Sequence, residues 1–136
     1  QTANPDRQVI NIAGDGCFRM NMNELATAAR QKLPLIEVIV NNHVLGMVRQ
    51  WQTLFYKEHY SATVLDDGVD YVRIAEARRV TTREEFTEAF KEALESKIPF
   101  VIDAIIDSDD KVWPMVAPGA PISECFDGED YSKKQK

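Results

Sequence analysis

Short apolar runs alternate with amphipathic segments along this chain. Three runs are rich in β-branched residues and end at turn-forming residues, which predicts buried strands at residues 8–13, 35–40 and 100–106. Helical spacing of apolar residues separates them. Nearly apolar strands alternating with helices are typical of a parallel sheet covered on both faces. The pattern therefore predicts an α/β fold, a three-layer α/β/α sandwich with a mainly parallel sheet.

The helices are predicted from apolar positions three and four residues apart. One face is formed by Met22, Leu25, Ala26, Ala29 and Leu33. Asn21 and Glu24 have the spacing of a capping box ahead of this helix, and Pro34 ends it. A second helix is predicted at residues 47–56.

The second half of the chain has weaker patterns. Residues 69–77 are interpreted as a helix, followed by a short strand at 79–81. Thr82 and Glu85 predict a capping box that opens a helix through Phe86 and Phe90. Residues 57–68 are predicted to be a loop, and residues 107–136 an extended arm.

Composition and charge narrow the function classes. The chain has 136 residues and a net charge of -6, which argues against a nucleic-acid module. Two cysteines without metal-type spacing favour free thiols in a reducing compartment, and we expect a cytoplasmic protein. No apolar run approaches the ~20 residues of a membrane helix, and the first residues lack a signal-peptide pattern. Because the chain begins at Gln1 rather than Met, we expect a piece of a larger protein.

Two polar clusters follow predicted strands. Gly14-Asp15-Gly16, interpreted as a tight turn, follows the first strand, and Asn41-Asn42 follows the second. Ligands of open parallel sheets bind beyond the carboxyl ends of the strands, and Mg²⁺ prefers oxygen ligands together with phosphate oxygens. If the two strands are neighbours, Asp15 and Asn42 suit a diphosphate bridged by Mg²⁺. Each cluster alone is more often an ordinary turn or strand terminator.

The two clusters together resemble a known motif. Gly14-Asp15-Gly16, a spacer of 24 residues and Asn41-Asn42 resemble the thiamine-diphosphate motif. The run from Leu45 to Gln52 (LGMVRQWQ) resembles the large catalytic subunit of the acetolactate synthase (acetohydroxyacid synthase) family. Further matching segments are residues 4–7, 24–28, 54–56, 59–61 and 113–116. The resemblance implies the thiamine-diphosphate-binding fold, incomplete at its N-terminus, over residues 1–107, with a C-terminal arm at 108–136.

The resemblance implies roles for particular residues. Mg²⁺ is expected on the side chains of Asp15 and Asn42 and on the backbone carbonyl of Val44. The expected cofactor-binding residues are Gly14, Asp15, Gly16, Cys17, Asn42, Val44, Leu45, Gly46 and Met47. Met47 and Trp51 are expected to line the substrate pocket. No catalytic side chain is expected in this chain, because the family's activating Glu lies in another domain on a partner subunit.

Each of these residues also has a plainer interpretation. Met47 and Trp51 lie four apart on one helical face, a spacing more typical of core residues. Cys17 lacks a neighbouring base and is interpreted as a small packing residue. His43 and His59 are interpreted as loop residues that bind no metal.

The implied activity is that of a thiamine-diphosphate- and Mg²⁺-dependent transferase of branched-chain amino acid biosynthesis. It condenses pyruvate with pyruvate or 2-ketobutyrate and releases CO₂. The family's full-length enzyme is a flavoprotein that also binds FAD. The resemblance implies a homodimer or higher homo-oligomer and allows a small regulatory subunit. No nucleic-acid or membrane partner is expected. The alternatives are another thiamine-diphosphate enzyme, of the pyruvate oxidase or glyoxylate carboligase type, and a non-catalytic binding module of the same fold.

One position departs from the family pattern. A Gly-containing turn usually separates the helix predicted to end at Ala77 from the following strand, whereas here Ala77 runs directly into Arg78. Since a helix and a strand that reverse direction need about 2–6 connecting residues, we hypothesise that residues are missing at this join.

Overall fold

The computed structural model describes residues 1–65 and 68–134. The chain forms two compact units. The sheet unit comprises Gln1–Val44 and Val64–Ser108, and the arm unit comprises Leu45–Thr63 and Asp109–Lys136. In chain order the helices and strands are β1 (Val9–Gly14), α1 (Asp15–Arg19), α2 (Glu24–Arg30), β2 (Leu35–Asn41), α3 (Gly46–Phe55), β3 (Glu76–Val80), α4 (Arg83–Glu95), β4 (Phe100–Ile105) and α5 (Gly128–Lys134).

The sheet unit is built on four parallel strands in the order β1-β2-β4-β3. Gly14 pairs with Val40, so the carboxyl ends of β1 and β2 are level. Asp103 of β4 lies between the register positions of Ile39 on β2 and Arg79 on β3. The polar residues that follow the strands therefore lie along the edge of the sheet that is formed by the carboxyl ends of its strands.

Alternation along the strands divides the core between the two faces of the sheet. Ile36, Val38, Phe100 and Ile102 are buried on one face with residues of α4, including Ala89. The other face buries a second cluster formed by Phe18, Ile39, Tyr71 and Val101, against which Leu25 of α2 packs. Helices thus pack against both faces of the sheet, and the predicted three-layer α/β fold is confirmed.

The arm unit is described by itself. An antiparallel bridge joins Met115 and Phe126. The ring of Phe126 lies 6.3 Å from that of Phe55 on α3 and 5.9 Å from that of Trp113, centroid to centroid, both nearly edge-on. Helix α5 lies in the segment that sequence analysis predicted to be an extended arm, so that prediction is wrong at residues 128–134. The Tyr131 ring of α5 stacks on the ring of Phe126. The domain boundary at residue 107 stays a prediction.

Several predicted elements are confirmed within a residue or two. β1, β2, α3 and β4 lie where the apolar runs and helical spacing place them. The predicted burial of β1 is wrong, because β1 is the first strand of the sheet order and its Ile10 and Ile12 are 42% and 69% exposed. The capping box of α4 is formed, since Thr82 Oγ1 accepts from the Glu85 N–H at 3.2 Å and Glu85 Oε2 accepts from the Thr82 N–H at 3.2 Å. The described part of the loop at 57–68 contains neither helix nor strand beyond a bridge at Val64; Asp66 and Asp67 lie outside the described residues.

The predicted helix at residues 69–77 is wrong. Only Tyr71–Arg73 forms a single 3-10 turn, and strand β3 already begins at Glu76. Residues 76–80 instead pair with β4 as the last strand of the sheet, and this tertiary pairing overrides the helical spacing. Ala77 and Arg78 are consecutive residues of β3, paired with Val101 and Ile102. No reversal of direction occurs there, so the argument from a helix–strand connection no longer applies; that residues are missing at this join stays a hypothesis based on the family pattern.

Two local predictions at the N-terminal helices are also wrong. The expected tight turn at Gly14-Asp15-Gly16 is replaced by α1, which begins at Asp15 directly after β1. The capping box of Asn21 and Glu24 does not form: the Glu24 N–H donates to the Asn21 carbonyl at 2.9 Å, and Asn23 becomes the N-cap. Asn23 has helical dihedrals, so a continuous run of turns leads into α2 and leaves the Asn21 side chain unused as a cap.

Thr82→Ala tests the contribution of the capping box to stability. Loss of the N-cap hydrogen bond should lower the free energy of unfolding by about 1 kcal/mol. Urea denaturation followed by circular dichroism measures this change. Thr87→Ala in the same helix is the control, since Thr87 Oγ1 only donates to the Arg83 carbonyl. Equal effects of the two substitutions would contradict the prediction.

The buried carboxyl group of Glu37 should make the free energy of unfolding depend on pH. It is 4% exposed, and the Asn11 side-chain amide donates to both carboxylate oxygens at 2.9 and 2.8 Å. Burial raises the pKa of Glu37, and the Asn11 hydrogen bond lowers it by less. The folded chain thus holds this proton more tightly than the unfolded chain, so the stabilisation is complete below the unfolded-state pKa and is lost as the pH rises through the folded-state pKa.

The measurement compares wild type with Glu37→Gln by urea denaturation at a series of pH values. The free energy of unfolding of wild type, relative to the variant, should decrease from about pH 4.3, the usual pKa of Glu, towards neutral pH. Glu88→Gln on the exposed surface of α4 is the control. A difference that is flat or increases with pH would show that burial of Glu37 does not dominate.

Candidate functional site

Asp15 is held at the carboxyl end of β1 as the first residue of α1. It is 2% exposed, and Oδ1 accepts from the Gly16 N–H at 2.9 Å. Oδ2 has no hydrogen-bond partner; it is one of only two such buried side-chain atoms in residues 1–65 and 68–134. Since buried polar atoms are almost always paired, Oδ2 is an acceptor available for a ligand.

The electrostatic surroundings of Asp15 are mixed. Burial raises the pKa of the Asp15 carboxyl group, while the peptide N–H groups of Gly16 and His43 and the charge of Arg19 lower it by less. The His43 peptide belongs to the turn after β2. Asp15 therefore lies close to that turn, as the parallel pairing of β1 and β2 requires.

The turn after β2 is organised by two asparagine side chains. Asn41 Oδ1 accepts from the His43 N–H at 3.1 Å, and Asn42 Oδ1 accepts from the Val44 N–H at 3.2 Å. His43 has a φ of 58°, in the left-handed region. Val44 is buried and bridges Val64, and the hydrogen bond between the His43 carbonyl and the Leu65 N–H flanks that bridge.

These groups have the donor chemistry that suits Mg²⁺. Asp15 offers one carboxylate oxygen, Asn42 an amide oxygen with a second lone pair, and Val44 a backbone carbonyl. No cluster of three His, Cys, Asp or Glu side chains suited to a metal occurs in the described parts of the chain. A site with a single carboxylate fits Mg²⁺, which is commonly held by one or two carboxylates together with phosphate oxygens. That these residues bind the metal stays a prediction.

The backbone conformation at Gly14, the residue before Asp15, does not require glycine. Gly14 has a φ of -69°, which any residue can adopt. A Cβ built on it would meet nothing closer than the Val40 carbonyl oxygen at 4.0 Å. The missing side chain therefore leaves space beside the backbone at this edge, as close approach of a phosphate requires.

A buried polar network behind the turn was missed by sequence analysis. The Asp103 carboxylate is fully buried and accepts from Asn41 Nδ2 and from Arg79 Nε, both at 2.9 Å. Arg79 Nη2 also donates to Asp70 Oδ1 at 2.6 Å. The only signal for this network in the sequence was the single acid within the apolar run at 100–106.

In the arm unit, the predicted pocket residues lie on α3. Met47 and Trp51 are 49% and 36% exposed, so neither is a core residue of this unit. They line a cavity of about 500 Å³ together with Val48, Gln52, Tyr56 and His59. Leu45 is the N-cap of α3 and Gly46 its first residue.

Two glutamines of α3 fasten chain segments to that helix. The side chain of Gln52 donates to the Ser61 carbonyl at 3.1 Å and accepts from the Ser61 N–H at 3.2 Å. Gln50 is buried and pairs in the same way with Val112, at 2.8 Å in both directions. Gln52 thereby holds the loop that carries His59 into the cavity wall, a role that sequence analysis did not assign.

Cys17 is exposed, so its interpretation as a packing residue is wrong, because α1 turns this position outward. His43 and His59 both lie in loops, as expected. No helix in the described residues is long and apolar enough to span a membrane.

Known proteins share this sequence and fold. Residues 1–104 match the family described as thiamine pyrophosphate enzyme, C-terminal TPP binding domain. The chain is 42% identical over 132 residues to acetolactate synthase isozyme 2 large subunit of Escherichia coli, covering 93% of this chain and 24% of the relative. It is 43% identical over 145 residues to the acetolactate synthase large subunit of Corynebacterium glutamicum, covering 93% and 23%.

A solved structure agrees. The thiamine diphosphate-dependent 4-hydroxybenzoylformate decarboxylase of Rhodococcus jostii RHA1 superposes with a TM-score of 0.70 at 33% identity, covering 79% of this chain and 21% of that one. The chain thus spans about a quarter of the length of these relatives. The resemblance to acetolactate synthase large subunits is confirmed at the level of sequence. The match over residues 1–104 shows that this chain belongs to the thiamine pyrophosphate enzymes and contains their C-terminal TPP-binding domain.

Proposed function

We propose that this chain is the cofactor-binding portion of an acetolactate synthase large subunit. The full enzyme would condense pyruvate with pyruvate or 2-ketobutyrate, with loss of CO₂, in branched-chain amino acid biosynthesis. The proposal is supported by the relatives, which are named acetolactate synthase. The observation in this chain that carries the cofactor assignment is the buried, unpartnered Oδ2 of Asp15.

The residues of the sheet unit would hold Mg²⁺ and the diphosphate. Asp15 would supply a negative oxygen, and Asn42 and the Val44 carbonyl neutral ones. The space beside Gly14 would admit a phosphate oxygen. Bound thiamine diphosphate supplies the electron sink for decarboxylation of a 2-keto acid.

The residues of the arm unit would shape the substrate pocket. The largely apolar cavity beside α3 would contact the alkyl part of a small keto acid, for which the exposed indole of Trp51 offers a flat wall. Gln52 fixes the loop that completes this cavity. Substrate preference would then depend on the space left between Met47 and Trp51.

The remaining attributes rest on the resemblance alone. A homodimer or higher homo-oligomer, a small regulatory subunit and FAD would belong to the full-length protein. A cytoplasmic location fits its two free thiols. A second candidate is decarboxylation without condensation, favoured by the similarity to a decarboxylase of known structure; analysis of the products of the full-length enzyme with pyruvate separates the two.

Asp15→Asn tests the metal assignment. The substitution preserves size and removes the negative charge that would face Mg²⁺. Because outer-shell partners of metal ligands alone are worth about 10–100-fold in affinity, we expect at least a tenfold loss of affinity for Mg²⁺ with thiamine diphosphate. Calorimetric titration of the chain measures it, with exposed Asp6→Asn as the control. Unchanged binding by Asp15→Asn would exclude Asp15 as a ligand.

A second experiment tests the division of the active site between chains. We expect the purified 136-residue chain to form no acetolactate from pyruvate, because the activating Glu of the family would come from another domain. A colorimetric assay for acetolactate, run with Mg²⁺ and thiamine diphosphate, checks this. The full-length enzyme under the same conditions is the positive control. Turnover by the chain alone would overturn the assignment of the activating Glu to another domain.

A further inference from the structure

We propose that Asp103 and Arg79 are positioning residues for the turn that carries Asn42 and Val44, and that they act through the side chain of Asn41. This inference rests on the proposed function, which makes that turn a metal-binding segment. The network of Arg79, Asp103 and Asn41 contacts neither of the expected ligand atoms. Its effect would be on the geometry in which those atoms are presented.

The first step is the orientation of the Asn41 amide. Asn41 is 1% exposed, and its two ends differ in chemistry, one a donor and one an acceptor. Asp103 Oδ1 accepts from Nδ2 at 2.9 Å, which selects one of the two amide orientations. In that orientation Oδ1 faces the His43 N–H and accepts from it at 3.1 Å.

The second step carries this orientation into the turn. His43 has a positive φ, which a non-glycine residue adopts at a cost, so the turn needs hydrogen bonds that hold it. The bond to Asn41 Oδ1 is one, and the bond from the Val44 N–H to Asn42 Oδ1 is the next. Asn42 and Val44 are the two neutral ligands expected for Mg²⁺.

Arg79 holds the Asp103 carboxylate in place from strand β3. Its Nε donates to Asp103 Oδ2 and its Nη2 to Asp70, so the planar guanidinium is fixed at both ends. Asp103 is thereby held from β3 while it holds Asn41 on β2. A lysine at this position keeps the charge but lacks the planar fork that makes both bonds.

The chain contains a matched control. Arg78 precedes Arg79 on β3 and points to the opposite face, where its Nε donates to Glu92 of α4 at 2.7 Å. Arg78→Lys makes the same chemical change to an arginine–carboxylate pair on the same strand. It affects local stability without touching Asn41.

The experiment measures two quantities in wild type, Asp103→Asn, Arg79→Lys and Arg78→Lys. Amide hydrogen exchange of His43 in the metal-free chain is measured by NMR, with the Ile39 amide within β2 as internal reference. The affinity for Mn²⁺ in the presence of thiamine diphosphate is measured by electron paramagnetic resonance in the full-length enzyme that carries each substitution. A substitution with a merely structural effect would accelerate Ile39 and His43 together.

We expect Asp103→Asn and Arg79→Lys to accelerate exchange at His43 relative to Ile39. Both should weaken Mn²⁺ binding by about tenfold or more, the range found for outer-shell partners. Arg78→Lys should change neither quantity by more than about twofold. If Asp103→Asn fails to fold, Arg79→Lys decides.

Mn²⁺ affinity within twofold of the Arg78→Lys control would overturn the positioning role while leaving the proposed function intact. Acceleration of His43 and Ile39 to the same extent would also overturn it, as an effect on global stability. Failure of the full-length wild-type enzyme to bind Mn²⁺ with thiamine diphosphate would overturn the proposed function, and the positioning role with it.

Discussion

The buried carboxylate of Asp103 is the interaction on which the carboxyl edge of the sheet depends. It accepts from Arg79 of β3 and Asn41 of β2 and so joins three adjacent strands. Parallel strands have no hairpins to hold their ends together, and here a side chain performs that task. Replacement of a buried ion pair by apolar residues is often neutral or stabilising. The contribution of the polar network is therefore to orient side chains rather than to stabilise the fold, since each of its hydrogen bonds fixes the orientation of the next group.

The same edge contains an acceptor that the chain leaves unsatisfied. Leaving a buried polar group unpaired costs about 1–3 kcal/mol, and more for a charged group. Oδ2 of Asp15 carries such a cost in the free chain, and burial raises its pKa in agreement. Asp103 on β4 and Asp15 after β1 are thus opposite cases on the two strands that flank β2. One carboxylate is fully used by the protein, and the other retains an oxygen for a ligand.

Much of this arrangement could be predicted from local sequence. Strands β1, β2 and β4 are apolar runs, and Asp15 and Asn42 lie directly after two of them, so their common edge follows from parallel pairing. Strand β3 has the sequence EARRV and lies at the edge of the sheet. Its exposed arginines give no apolar run, and only pairing with β4 makes it a strand.

Contacts between distant residues could not be predicted in this way. Asn41 and Asp103 are 62 residues apart, as are Gln50 and Val112. To place either pair together requires the strand order or the path of the arm, neither of which is encoded in a local pattern. The pairing of Gln50 with Val112 was missed for this reason, although the helix that carries Gln50 was predicted correctly.

Charge balance at the proposed metal site links the metal to the diphosphate. Among the expected ligands only Asp15 is negative. Mg²⁺ held by Asp15, Asn42 and the Val44 carbonyl would therefore keep a net charge of about +1 in a largely buried position. A diphosphate supplies the missing negative charge and further oxygen ligands. Each partner would therefore raise the affinity of the other by the same factor, as linkage requires. The small number of protein carboxylates at this edge is then the feature that makes metal binding depend on the cofactor.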